Sequence, residues 1–130
     1  MLLIRFNMIT IIKTLILLVI LVSCHKNCPE PGSYRATFNG NYEITGSIST
    51  EVGFPSISET TKDYFLIGYS KINKNGNKID GEIAGLANYA WIILDGKCNK
   101  KKGKYYLTGT YKAGDFSGGI INGEFEIKSN

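Results

Sequence analysis

Ile79-Asp80-Gly81-Glu82-Ile83 reads IDGEI, and the same order of apolar, polar, glycine, polar, apolar returns as LTGTY at 107–111 and INGEF at 121–125. A fourth copy, ITGSI, occupies 44–48. Side chains on a strand alternate between faces, so each glycine shares a face with the two apolar residues beside it. That face is the inner one. The residues between, such as Asp80 and Glu82, Thr108 and Thr110, or Glu124 and Glu126, then face water. A glycine inside a strand costs stability, which is tolerable where the sheet bends sharply or another segment packs close. Four inward glycines therefore predict a strongly curved sheet.

Working outward, Asn39-Gly40, Lys74-Asn75-Gly76-Asn77, Asp95-Gly96 and Gly118-Gly119 read as turn signals between runs rich in Tyr, Ile, Phe and Thr. No window after Ser33 sustains helical apolar spacing. Strands are expected near 34–38, 42–49, 63–72, 78–86, 89–97, 104–112 and 119–128, with the longest loop at 50–62 around Gly53 and Pro55. The expected class is all-β, a single antiparallel, strongly curved sheet closing into a small barrel. A seven- to eight-stranded β-sandwich is the alternative, because it alternates in nearly the same way. The body resembles the lipocalin-like or calycin-like proteins in architecture, without a lipocalin motif that could be matched residue by residue.

The first 23 residues follow a different rule. From Ile9 to Val22 the chain reads ITIIKTLILLVILV, without an acid, and Leu15 to Val22 is uninterrupted apolar. Such a run is too short to span a hydrocarbon core of about 30 Å. Arg5 and Lys13, the apolar run, then Ser23 give the layout of a secretory leader, with either Met1 or Met8 as the start. Its end, Leu21-Val22-Ser23-Cys24, resembles the lipobox of bacterial lipoproteins. That resemblance implies a signal helix cleaved before Cys24, diacylglycerol on the Cys24 thiol, and a mature chain anchored to a bacterial membrane, the outer more readily than the inner. The expected organisation is a signal peptide at 1–23, a tether at 24–33 (CHKNCPEPGS) and a β domain at 34–130.

Lipidation of Cys24 would leave Cys28 and Cys98, which can form one disulfide in an oxidising compartment, two unpaired thiols being the other reading. Without Arg5 and Lys13 the chain carries 13 basic and 11 acidic residues. That balance offers no basic face for a phosphate backbone, so nucleic acid is not an expected partner. The one dense cluster, Lys97, Lys100, Lys101, Lys102 and Lys104 around Gly103, reads as a solvated hairpin tip, or as a contact with anionic lipid near the anchor.

Catalytic chemistry finds few materials. His25 is the only histidine and sits beside Cys24 on the tether, so Ser-His-Asp, Cys-His and His-based metal sites are not expected. No metal and no cofactor is expected, since Cys28 and Cys98 are too few for a cysteine site and no glycine-rich turn precedes a helix. The segment 112–119 has a loose likeness to calcium-binding turns, with a single carboxylate, Asp115. The pairs Asp80 with Glu82 and Glu124 with Glu126 are the material for a carboxylate-dependent glycan hydrolase, and solvated side chains are the plainer reading.

What remains is Tyr89 to Leu94, YAWIIL, apolar on both faces. It reads as a central strand covered by the 50–62 loop, or as a binding surface where Trp91, with Tyr89 or Ile93, meets a ligand or partner. The functional expectation is a lipid-anchored envelope module that binds a small apolar ligand or an envelope protein. The alternatives are the glycan hydrolase and a purely structural surface lipoprotein.

Overall fold

The computed structural model describes residues 28–42, 46–86 and 88–130. The expected signal peptide at 1–23, Cys24, His25 and the first half of the ITGSI copy lie outside the described residues. Nine strands are described: β1 Gly32–Tyr42, β2 Gly46–Val52, β3 Ser56–Thr60, β4 Tyr64–Ile67, β5 Ser70–Asn75, β6 Lys78–Ala84, β7 Tyr89–Lys101, β8 Lys104–Asp115 and β9 Ile120–Ser129.

From β3 onward each strand pairs antiparallel with the next in the chain, and β9 returns to β1, with Tyr34 opposite Ser129 and Tyr42 opposite Ile121. The free edge of β1 is shared. Ala36 to Tyr42 pair with β2, and Gly32 and Ser33 pair with β3. The result is a closed eight-stranded antiparallel barrel of β1 and β3 to β9, with β2 as an extra strand prolonging the β1 edge. Closure excludes the sandwich. It also removes unpaired edges from the β1–β9 seam, and leaves the outer edge of the extra strand β2 without a partner among the described strands.

Three of the four repeat glycines explain the curvature, whereas Gly46 of the ITGSI copy is exposed, with positive φ, at the start of the extra strand β2 and is not an inward gap. Gly81, Gly109 and Gly123 lie on the inner face between buried neighbours, and two further glycines join them there, with Gly40 opposite Gly123 and Gly96 opposite Gly109. An added Cβ at Gly123 would collide with the Asn39 carbonyl and Gly40 Cα, and one at Gly109 with the Asp95 carbonyl and Gly96 Cα. Strands therefore approach each other at these pairs more closely than any side chain allows. At Gly40 the vacant position is taken by the Tyr111 hydroxyl and Ile121 Cγ2.

This use of glycine corrects two turn readings. Asn39-Gly40 and Asp95-Gly96 lie within β1 and β7 and turn nothing, because their glycines are needed as inward gaps. The expected 50–62 loop is also mostly strand, broken only at 53–55 between β2 and β3, and the expected 63–72 strand is a hairpin turning at Gly68-Tyr69. The turns at Gly76-Asn77 and Lys102-Gly103 stand where expected, with positive φ at Gly76, Lys102 and Gly103.

The lumen is filled by side chains. Phe38, Phe65, Ile72, Ile92, Leu94, Leu107 and Ile127 have no exposed surface. The Phe38 ring meets Tyr111 edge-on at 5.1 Å between centroids, Tyr89 at 6.1 Å and Phe125 at 6.4 Å, the spacing of favourable aromatic pairs.

The two ends of the barrel differ. β1 begins, and β9 ends, at the end that carries the turns 61–63, 76–77 and 102–103, which is called the base here. A disulfide between Cys28 and Cys98, with Cα atoms 5.8 Å apart, pins the incoming chain to β7 at this end. Tyr34 donates its hydroxyl to the Glu30 carbonyl, which fixes the same segment. Burial, with Tyr105 and Glu30 nearby, pushes the Tyr34 phenol well above its usual range. Lys74 closes the base from inside, buried and donating from Nζ to the Thr61 carbonyl at 2.9 Å, and its burial lowers its pKa.

Candidate functional site

The stretch YAWIIL is divided by a bulge. Tyr89 lies opposite Asp115 while Trp91 lies opposite Gly114, so one residue is gained on β7 between them. Without it, Tyr89, Trp91 and Ile93 would share one face. With it, Tyr89 joins Ile92 and Leu94 inside the barrel, and Trp91 and Ile93 point outward. Of the three residues expected to act together, the structure keeps Trp91 and Ile93 on one wall and removes Tyr89 to the core.

Inside, Tyr89 meets Tyr111. Both hydroxyls are buried without a hydrogen-bond partner among the described residues. Burial first, and the neighbouring Tyr89 hydroxyl second, push the Tyr111 phenol up to about 12.

Outside, Trp91 sits in a cross-strand row that runs Ala84, Trp91, Gly114, Ile120 over β6 to β9. The indole packs against Gly114, where any Cβ would collide with its Nε1 and Cε2. Gly114 is thus buried only because the indole covers it. Ile120 follows on β9, half exposed at 50%, and Ile93 stands one row lower at 44%. The β8–β9 loop carries Phe116, 77% exposed. Ile93 and Ile120 on the outer wall, with the half-buried Trp91 and the exposed Phe116 of the adjoining loop, therefore form an apolar patch at the end of the barrel opposite the base. Lys112 and Asn122 continue the Ile93 row, and with Asp95 and Glu124 they line a shallow groove beneath it.

This loop is built on Asp115. Its Oδ1 accepts from the Ser117 amide at 3.0 Å, the Ser117 hydroxyl at 2.9 Å and the Gly119 amide at 2.7 Å. Its Oδ2 accepts from the Tyr42 hydroxyl across the barrel seam. These donors, Tyr42 first, hold the Asp115 carboxyl below its usual range, and the same bond raises the Tyr42 phenol. The likeness to a calcium turn dissolves here, because the loop's own donors occupy the one carboxylate. No cluster of three metal-ligating side chains occurs among the described residues.

No family model, no curated protein and no solved structure matches the chain.

The four carboxylates considered for hydrolysis, Asp80, Glu82, Glu124 and Glu126, are all exposed on the outer wall. Asp80 lies directly opposite Asp95, while Glu124 and Glu126 face Thr110 and Thr108. None enters the lumen. Phe116, Ile120, Gly114 and the Tyr42–Asp115 bond were not identified from sequence. The spacing of Asp115, Ser117 and Gly119 carries the signal of a side-chain-closed turn that would have located the loop.

Proposed function

We propose that this chain is a lipid-anchored cell-envelope protein, attached through Cys24, whose barrel is a binding module that grips a protein partner on its outer wall. The observation that carries the choice of partner is the filled lumen. An eight-stranded barrel is just wide enough either to be filled by side chains or to hold one small ligand. Here Phe38, Leu94, Leu107 and Ile127 fill it, and at Gly40 not even a methyl group fits. An apolar ligand would have to displace this core, at a cost of several kcal/mol. The wall patch of Trp91, Ile93, Phe116 and Ile120 requires no such displacement, and aromatic residues are favoured anchors of protein interfaces.

The anchor is supported by the likeness of Leu21–Cys24 to a lipobox, and by a disulfide that suits an oxidising compartment. Exposed, outward carboxylates give the hydrolase alternative nothing to build on.

The experiment is a titration of the purified protein with a fluorescent fatty acid, followed by its emission. The filled lumen predicts no saturable binding. Stoichiometric binding that is abolished by an interior change such as Leu107→Phe and untouched by Ile120→Asp would overturn the partner reading in favour of a lumen ligand.

A further inference from the structure

The base of the barrel is a second surface with a defined chemistry. Lys100, Lys101, Lys102 and Lys104 surround the β7–β8 turn, and Lys78 and Lys97 lie directly opposite one another just above it, all exposed. Like charges directly opposite on neighbouring strands repel, and the Lys101–Lys104 pair repeats the arrangement. Among the described residues the only ion pair is Arg35 with Glu51 at 3.0 Å, so none of these lysines is neutralised by a carboxylate. Asp80, Glu82, Asp95 and Glu124 lie along the wall above the turn, while Asp63 in the 61–63 turn and Glu30 beside Tyr105 are carboxylates at the base itself, where the lysines outnumber them. The base is therefore net positive.

The positive end is also where the chain enters. Cys28 is held to Cys98 beside the lysine turn. Three residues separate it from Cys24, a reach of at most about 14 Å when extended over the four steps between them. A lipid on Cys24 would thus hold the lysines close to the bilayer surface, near the range of about 10 Å over which charges are felt at ordinary ionic strength.

We propose that the lysine base docks on anionic phospholipid headgroups, so that the barrel stands end-on with the Trp91–Ile120 wall held away from the membrane. This rests on the Cys24 anchor for placement, while the charge complementarity is a property of the barrel alone. Each lysine close to an anionic surface favours the docked state by about fivefold.

The test uses the mature protein on two kinds of vesicle, pure phosphatidylcholine and phosphatidylcholine with about one-third phosphatidylglycerol, probed with a membrane-impermeant amine-acylating reagent and read by mass spectrometry. On the anionic vesicles Lys100, Lys101, Lys102 and Lys104 should be modified at least fivefold more slowly than on the neutral ones, with Lys112 on the upper wall unchanged. About 0.5 M salt should remove the difference. The variant Lys101→Glu with Lys104→Glu keeps like charges opposite one another, so the fold is equally burdened, and it should lose the protection. Equal modification of the base on both vesicles would overturn the proposal. Failure of the anchor is separately visible as protein that stays off pure phosphatidylcholine vesicles. In that case salt-sensitive co-sedimentation with the anionic vesicles alone decides, its presence supporting the basic docking surface and its absence refuting it.

Discussion

Reducing the Cys28–Cys98 disulfide leaves both thiols in place, so core volume is conserved and the change falls on the unfolded chain. The bridge closes a loop with a sequence separation of 70 residues. On the chain-entropy relation a loop of that length restricts the unfolded chain by about 4.4 kcal/mol at 25 °C. A domain of this size has an unfolding entropy such that 1 kcal/mol moves Tm by roughly 4 °C or more, so reduction should lower Tm by about 20 °C. Urea unfolding of the mature protein, followed by far-UV circular dichroism with and without reductant, measures the free-energy difference directly. A second consequence is local. Ahead of β1, which begins at Gly32, the segment is held by the bridge and by the Tyr34 bond to the Glu30 carbonyl, so reduction should expose residues 28–31 to protease before the barrel itself opens. A stability loss below about 1 kcal/mol would refute the reasoning, because the bridge would then be constraining nothing that folding does not already constrain.

Cys24→Ala should abolish metabolic labelling with a fatty acid and leave the precursor unprocessed, whereas labelling at the level of the unaltered protein would contradict the anchor. Gly123→Val places a branched side chain against the Asn39 carbonyl and should cost about 3 kcal/mol or more in chemical unfolding. Gly114→Val should lift the indole of Trp91, the chain's one tryptophan, off its seat, and shift tryptophan emission to the red with the barrel's circular dichroism intact. The buried phenols give a sign to alkaline behaviour. Tyr34 and Tyr111 bind their protons more tightly folded than unfolded, so their contribution is complete below about pH 10 and fades as pH rises toward and beyond 12. Tyrosinate absorbance should accordingly show Tyr34 and Tyr111 among its latest-titrating groups, ionising only as the fold is lost. Asp115 has the opposite sign. Its contribution is present above the ordinary carboxylate range and is lost as pH falls through its lowered value, so the 115–119 loop should loosen in strong acid while the base keeps its order.

The curved sheet was legible because the glycine repeat is a local pattern with one mechanical meaning, and Gly81, Gly109 and Gly123 all face inward as that pattern requires. The same chemistry also hid part of the fold. Asn39-Gly40 and Asp95-Gly96 have the composition of tight turns, and only the strand opposite, with Gly123 or Gly109 in register, reveals that the glycine serves close approach instead. The break at Gly53–Pro55 was visible as punctuation, but nothing local shows that both flanks pair with β1. At the candidate site Trp91 and Ile93 were found from their apolar excess, while the bulge that sends Tyr89 inward depends on the match between β7 and β8. Phe116 and Ile120 lie 25 and 29 residues further along the chain, and only the register through Gly114 brings Ile120 into the Trp91 row.

Recognition on the outer wall is the central claim, and site-specific photo-crosslinking in cells tests it most directly. A photoreactive residue at Ile120, in the full-length protein otherwise unchanged, should give one discrete protein adduct on irradiation. The same probe at Ser49, exposed on the extra strand β2, should give none. A discrete adduct at Ser49 with none at Ile120, or irradiation at Ile120 that yields only lipid or no adduct, would contradict the claim.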